Sequence, residues 1–208
     1  MATADDFRFF VLEEGEPRPL SVPPAVTAFE ELLTGLQPGV YDVVRTFNKN
    51  QFLYLNAHLA RTTQSITLLG WDYVWDQQRL RRALHALSRH APFAEMRVRW
   101  DVLAAPAAAL GSSSRELIAL QRFSPPPARL YAEGVVVGFA ETLHRDTPLA
   151  KTADFAAARR AYTIGTADAY ERLLLDENGR ILECTGANFY AIRDGIIYTA
   201  GEGVLAGI

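Results

Sequence analysis

The chain has 208 residues, 49% of them hydrophobic, enough to bury the core of one large domain or of two smaller ones. Its net charge of −3 gives no electrostatic reason to expect nucleic acid or an anionic membrane as the main partner. The single cysteine, Cys184, excludes an internal disulfide and a cysteine-based zinc cluster. No apolar run reaches the roughly 20 residues of a membrane helix, and the first residues (MATADDFRFF) are acidic where a signal peptide would be basic. We therefore expect a cytoplasmic protein.

Hydrophobic periodicity predicts alternating strands and helices in the first half of the chain. The segments expected as strands are FRFFVLEEGE, VYDVVRTF, QFLYL, EMRVRWDVL and RELIALQRF, with a short helix over AVTAFEELLTGL. Asn56 is expected to cap a helix over AHLARTTQSITLLG. Leu80, Ala83, Leu84 and Leu87 have the i, i+3, i+4, i+7 spacing of a second helix.

The second half of the chain follows a proline-rich tract, SPPPARLYAEG, that is typical of a linker. We expect a strand over VVVGFAET, a helix from near Asp154, and a strand-rich last third with hairpin turns at ENG and DG. The predicted fold is α+β in two domains: residues 1–123, a linker at 124–130, and residues 131–208.

Lys151 is the first candidate for chemistry, because only it and Lys49 are lysines in this chain. It follows three apolar residues and precedes a helix, with no carboxylate immediately beside it. Such surroundings remove water from the amine and favour its neutral, nucleophilic form. The alternative is an ordinary surface lysine, which we expect Lys49, in the turn NKN, to be.

Three further charged positions have both a functional and a structural interpretation. Glu183 interrupts an apolar strand, where its carboxylate could hold a cation such as a protonated heterocycle nitrogen, or could simply point outward. Arg61 lies on the predicted first helix, where its guanidinium suits phosphate or is solvated. Arg97 and Arg99 share a strand face with Glu95 and Asp101, which predicts either a carboxylate clamp or a charge-paired solvent face.

Several other signals do not support a site. The glycines of residues 201–207 are similar to a dinucleotide-binding loop, but no helix follows them in this chain. The four histidines lack metal-ligand spacing, so no metal is expected. No G-x-S-x-G elbow and no Walker-type loop is present.

Two long segments, taken together, resemble the class IV aminotransferase family, the fold-type IV enzymes that use pyridoxal 5′-phosphate. The first is GVYDVVRTFNKNQFLYLNAHLARTTQSITLLG, with its strand, hairpin, H-L-x-R and helix. The second is AKTADFAAARRAYTIGTADAYERLLLDENGRILECTGANFYAIRDGIIYT, followed by GVLAGI. Its order of lysine, helix, L-L-x-D-x-x-G, E-x-[ST]-x-x-N-F and L-x-G-I is the family's. The resemblance covers about residues 39–70 and 148–208.

The resemblance implies roles for three of the residues already singled out. Lys151 would form the Schiff base with the cofactor and later move the substrate α-proton. Arg61 would bind the cofactor phosphate. Glu183 would hold the pyridine nitrogen protonated, so that the ring acts as an electron sink.

The resemblance also implies supporting and substrate-binding residues. Leu205 would pack against the cofactor ring, and the backbone amides around Gly207 and Ile208 would begin the phosphate cradle. Asn188 and Thr185 match the motif and would support the shape of the site. Tyr41 and Arg97 would bind substrate, with Arg97 facing its carboxylate, and the enzyme would be a homodimer.

The chain departs from the family pattern in three places. Phe155 stands where many relatives place a tyrosine or another residue near the cofactor hydroxyl, and Cys184 replaces the usual glycine. The family continues past G-I with a phosphate-binding threonine and further strands and helices, so we expect the C-terminal part of the second domain to be missing.

The sequence leaves three functional interpretations open. The first is an aminotransferase that moves an amino group between an amino acid or amine and a 2-oxo acid. The second, with the same fold and cofactor, is an aminodeoxychorismate lyase. The third is a catalytically inactive truncated remnant.

Overall fold

The computed structural model describes residues 2–165 and 169–208, apart from the side chains of residues 164 and 165. The chain forms two compact units. Unit 1 comprises Met1–Ser124 together with the short segment Lys151–Asp154, and unit 2 comprises Pro125–Ala150 with Phe155–Ile208. The sequence-based boundaries assign Lys151 to the second domain, whereas its contacts in the structure group it with the first. Within the described part of the chain, none of the helices has the length and apolar composition needed to cross a bilayer.

Unit 1 is built on a six-stranded sheet with every neighbouring pair antiparallel, in the order β2-β1-β6-β5-β3-β4. The strands are β1 (Phe7–Glu13), β2 (Glu16–Leu20), β3 (Gly39–Phe47), β4 (Gln51–Phe52), β5 (Met96–Leu103) and β6 (Glu116–Arg122). The proline-bearing stretch after β1 is therefore itself a strand. It lies at the sheet edge, where the missing N–H groups of its prolines are tolerated.

Two α-helices, α1 (Leu55–Leu68) and α2 (Gln77–His90), complete unit 1 with short 3₁₀ turns at Ala4–Asp6, Phe29–Leu33 and Ala108–Leu110. The second predicted helix is confirmed, and the Asp76 carboxylate caps it by accepting from two backbone N–H groups. Asn56 is not a cap but the second residue of α1, which begins at Leu55 and follows Tyr54 in a left-handed conformation. The predicted helix over residues 25–36 is only the 3₁₀ turn, and the returning strand QFLYL is paired over two residues alone.

The sheet of unit 1 carries a hydrophobic cluster on each face. One includes Val40, Val44, Val98 and Trp100 with apolar residues of α1 and α2. The other is formed by the opposite face of β1 and β6 with the 3₁₀ turn at Phe29–Leu33. The alternation in β5 is confirmed for its apolar residues, but the solvent-face interpretation is wrong for Arg99 and Asp101. Both are buried, and Arg99 forms ion pairs with Asp101 and with Glu30.

Unit 2 contains a three-stranded sheet and a separate hairpin. The elements are α3 (Ala128–Glu133), β7 (Val137–Ala140), α4 (Ala153–Gly165), β8 (Glu171–Leu175), β9 (Ile181–Cys184), β10 (Ala191–Arg193) and β11 (Ile196–Tyr198); the first two residues of α4 group with unit 1. Strand β8 pairs in parallel with β7 and antiparallel with β9. Ala140, Leu143, Phe155 and Leu174 form a small core. Both predicted hairpin turns are present, and α3 begins within the predicted linker.

Candidate functional site

The backbone of Lys151 is fixed on both sides within unit 1. Its carbonyl accepts a hydrogen bond from the Tyr41 N–H of β3 at 3.0 Å, and the next residue, Thr152, bridges to Val40. Its own N–H donates to the Ser65 hydroxyl of α1 at 3.0 Å. A short extended segment thus lies along the beginning of β3 and is tied to a helix as well, which holds Lys151 in one place.

The amine of Lys151 lies over an aromatic ring. Its Nζ is 4.9 Å from the centroid of the Tyr41 ring, and the side chain as a whole is half-buried. The guanidinium carbon of Arg99 is 4.1 Å from the same centroid. Two of the predicted site residues, Lys151 and Tyr41, are therefore in contact, through an attraction between a cation and the electron-rich ring.

A buried carboxylate, Asp42, lies next to Tyr41 on β3. Its side chain is 0% exposed and accepts hydrogen bonds from His58 Nδ1 at 2.9 Å and from the Arg61 guanidinium at 2.8 and 2.7 Å. Burial alone would raise the pKa of Asp42. The hydrogen bonds from His58 and Arg61, with the positive charges of Arg61 and Lys151, outweigh burial and hold that pKa below its ordinary value.

Arg61 is therefore not the solvated helix arginine of the alternative interpretation. Its side chain is 11% exposed, and its Nε and Nη2 both donate to Asp42. His58 is on the same face of α1 and is buried as well. Because a carboxylate can only accept, His58 Nδ1–H is the donor in the hydrogen bond to Asp42. We call Lys151, Tyr41, Asp42, Arg61 and Ser65 the lysine cluster; it joins β3, α1 and the segment from the second half of the chain.

Glu183 lies in unit 2 and faces inward. Its side chain is 5% exposed, and Oε1 accepts from Arg145 Nε at 2.9 Å and from the Leu205 backbone N–H at 3.4 Å. The Arg145 guanidinium in turn lies 3.8 Å over the ring of Phe155. The outward alternative is wrong for this position. Cys184, the next residue, is also buried: burial first, and then the nearby carboxylates of Glu171 and Glu183, raise the pKa of its thiol to about 11.

Asn188 braces the glycine-containing end of the chain. Its Nδ2 donates to the Leu205 carbonyl at 3.3 Å, and Leu205 itself is buried. A Cβ placed on Gly207 would be 2.3 Å from Asn188 Oδ1, so any larger residue there would displace the Asn188 side chain. Ile208, in contrast to Leu205, is exposed. Thr185, the other predicted supporting residue, donates its hydroxyl to Glu171. Glu183, Leu205, Asn188 and Gly207 thus form a second connected group, which we call the carboxylate cluster.

Arg97 is the predicted substrate residue that lies on the outer, exposed part of β5. Its Nη1 donates to Gln121 at 3.3 Å, and its guanidinium is 5.3 Å from the centroid of the Phe29 ring. Of the two arginines on that face, Arg99 is the one whose guanidinium lies over Tyr41.

Sequence reasoning missed two members of the lysine cluster, Asp42 and Ser65. Asp42 carried a usable signal, since it is the one charged residue on the strand face that otherwise presents Val40 and Val44. Ser65 carried none, because a serine inside a helix has many uninteresting explanations.

Residues 39–208 match the family model described as amino-transferase class IV, and the chain belongs to this family. Solved structures agree on the fold. An aminotransferase of Thermotoga maritima, assigned as acting on branched-chain amino acids, superposes with a TM-score of 0.70 at 21% identity, over 98% of this chain and 70% of that one. A structure assigned as a 4-amino-4-deoxychorismate lyase has a TM-score of 0.66 at 28% identity, over 92% and 75%. No curated protein matches the chain.

Members of this family are pyridoxal-phosphate enzymes. One solved structure is a Mycobacterium tuberculosis aminotransferase in its pyridoxal-phosphate-bound form. Its match has a TM-score of 0.68 at 19% identity and covers 97% of this chain and 74% of that chain. The predicted family, fold class and cofactor are confirmed. The residues present fit the cofactor chemically: a half-buried lysine suits its aldehyde, a buried guanidinium its phosphate, and a buried carboxylate its pyridine nitrogen.

Proposed function

We propose that the protein transfers an amino group between an amino acid or amine and a 2-oxo acid, using Lys151 as the Schiff-base residue. The observation that carries the proposal is the placement of Lys151. Its backbone is held by β3 and α1, its amine lies over Tyr41, and its charge helps to lower the pKa of the buried Asp42.

Bound pyridoxal phosphate supplies an aldehyde that a lysine amine can condense with and a ring that withdraws electrons from the substrate carbon. The protein supplies the rest. Lys151 Nζ takes the proton from the substrate carbon and returns it at the neighbouring position. Arg61 would bind the phosphate, and Glu183 would hold a proton on the pyridine nitrogen. Asn188 and Glu183 hydrogen-bond to Leu205 and hold this stretch in place, where Leu205 would pack on the ring and the amides near Gly207 and Ile208 would bind the phosphate.

Substrate recognition is assigned to Tyr41 and Arg97. Tyr41 already contacts the Lys151 amine, so a substrate bound at that amine lies next to its ring. Arg97 is a cation on an exposed strand face and suits the substrate carboxylate. The assembly we propose is a homodimer in the cytoplasm, as the family resemblance implies.

The test is borohydride trapping of the cofactor. Protein mixed with pyridoxal phosphate is expected to develop visible absorbance that borohydride removes, leaving a stable mass addition on the peptide that contains Lys151. Lys151→Ala abolishes both signals, whereas Lys49→Ala, which removes the only other lysine, leaves both intact. A wild-type protein without the mass addition, or a Lys151→Ala variant that retains it, would refute the proposal and favour the inactive remnant.

A second candidate, an aminodeoxychorismate lyase, is supported by the similarity to the structure assigned as 4-amino-4-deoxychorismate lyase. Both reactions use the same lysine and cofactor, so trapping does not separate them. An amino donor mixed with pyruvate does: a transaminase converts the pyruvate to alanine, whereas a lyase leaves it unchanged and instead releases pyruvate from aminodeoxychorismate.

A further inference from the structure

Ser65 joins two predicted cofactor contacts through a single oxygen atom. The residue is 0% exposed on the inner side of α1, one turn after Arg61. Its hydroxyl donates to the Arg61 carbonyl at 2.9 Å and accepts from the Lys151 N–H at 3.0 Å. The helix that carries the guanidinium is thereby connected directly to the backbone of the lysine.

The second of these hydrogen bonds is what distinguishes Ser65 from its neighbours. Hydroxyls in α1 commonly donate to the carbonyl four residues earlier, as Thr62, Thr63 and Thr67 also do. That bond is a local helix feature. The bond to Lys151 spans 86 residues of sequence, so a helix-local explanation does not account for it.

We propose that Ser65 is a positioning residue that fixes the distance between the Lys151 amine and the Arg61 guanidinium. The inference rests on the proposed function. The aldehyde and the phosphate of pyridoxal phosphate are attached to one rigid ring, so both ends bind together only if the two protein groups keep a constant separation. The hydroxyl sets that separation from the helix side, and the Tyr41 N–H sets the position of Lys151 along β3.

The expected consequence of Ser65→Ala is a loss of discrimination between two aldehydes. Pyridoxal lacks the phosphate and therefore reports on Lys151 alone, whereas pyridoxal phosphate needs both groups at once. The affinity ratio of pyridoxal phosphate to pyridoxal is expected to fall about five- to tenfold, the factor that corresponds to loss of one hydrogen bond. Ser65→Thr keeps the hydroxyl and should restore the ratio.

Thr67→Ala is the matched control, because it deletes a hydroxyl with the same local bond on an exposed face of α1. Dissociation constants for both aldehydes are measured by absorbance titration of the full chain, after circular dichroism has verified folding. If Ser65→Ala does not fold, Ser65→Cys replaces it, since a thiol of similar size is only a weak hydrogen-bonding group. The proposal predicts a lowered ratio for Ala or Cys, and a wild-type ratio for Thr and for the control.

A second readout uses no cofactor. The rate at which formaldehyde and cyanoborohydride methylate Lys151 is compared with that of the exposed Lys49 by peptide mass spectrometry. Release of the Lys151 backbone is expected to raise this internal ratio in Ser65→Ala and not in Thr67→Ala. An unchanged methylation ratio and an unchanged aldehyde ratio in a folded Ser65→Ala variant would overturn the positioning role while leaving the proposed function intact. A wild-type protein that gives no adduct at Lys151 with either aldehyde would overturn both.

Discussion

Asp42→Asn is expected to cost unit 1 about 3–5 kcal/mol of its free energy of unfolding, the range measured when one partner of a buried ion pair is removed. The carboxylate is 0% exposed and accepts two bonds from Arg61 and one from His58. Asparagine keeps nearly the same shape, so packing is little changed. It carries no charge and offers one acceptor oxygen in place of two, so the Arg61 guanidinium, at 11% exposure, loses the negative charge of Asp42 and one of the two hydrogen bonds to it.

The pH dependence of this loss has a definite sign. Because the pKa of Asp42 is lowered in the folded state, its ionised form contributes stability at every pH above the unfolded-state value of about 3.9. The contribution disappears as the pH falls through the lower folded-state pKa. The difference in stability between wild type and Asp42→Asn is therefore expected to be constant near neutral pH and to shrink in strongly acidic solution.

Urea denaturation followed by tryptophan fluorescence provides the assay, since all three tryptophans lie in unit 1. Glu95→Gln is the control, because it breaks the ion pair between Glu95 and Arg45, and Arg45 lies on β3 as Asp42 does. The side chains of Arg45 and Glu95 are 36% and 39% exposed, so this change should cost at most about 1 kcal/mol. The reasoning would be refuted if the two variants lost equal stability. In a double-mutant cycle, Arg61→Met should recover part of the loss caused by Asp42→Asn.

Three further predictions concern unit 2. Gly207→Ala forces its Cβ against Asn188 and is expected to weaken pyridoxal-phosphate binding in absorbance titrations, whereas Gly201→Ala, which has open space around it, leaves binding unchanged. Burial, and then nearby carboxylates, raise the pKa of Cys184 to about 11. Near pH 8 its thiol should therefore react with iodoacetamide roughly two orders of magnitude more slowly than the same thiol in urea. Equal rates in the two conditions would contradict its burial. Arg145→Gln removes the partner of a buried carboxylate and should destabilise unit 2 by about 3–5 kcal/mol, read by hydrogen exchange at β9; unchanged protection would show that the pair contributes little.

The sequence predicted those site residues whose chemistry is unusual for their local surroundings. Lys151 and Glu183 were recognisable because a charged group interrupts an apolar stretch. Family motifs then supplied the cofactor, which composition and periodicity could not identify. Most strands and helices followed from alternation and helical spacing, because these patterns reflect which face of an element is buried.

What could not be predicted depends on contacts between residues far apart in the chain. The charged residues of β5 alternate as a solvated strand face would, yet Arg99 and Asp101 are buried because Glu30 and a second hydrophobic cluster cover them. The partnership of Asp42 with Arg61 depends on how α1 packs on β3. The grouping of Lys151–Asp154 with the first unit is equally invisible locally, since the residues on either side belong to the second.

The segment Lys151–Asp154 makes unit 1 discontinuous in sequence. A fragment that ends at Ser124 would contain all six strands of the sheet but would lack the proposed reactive amine. The first residues of β3 would keep their pairing with β5 and lose the pairing with Lys151 and Thr152 on the other side. Closing a loop of more than a hundred residues between Tyr41 and Lys151 is slow and entropically costly compared with pairing adjacent strands. The Lys151 amine is thus expected to reach its position late in folding, so that a chain still emerging from the ribosome or partly folded carries no assembled lysine cluster.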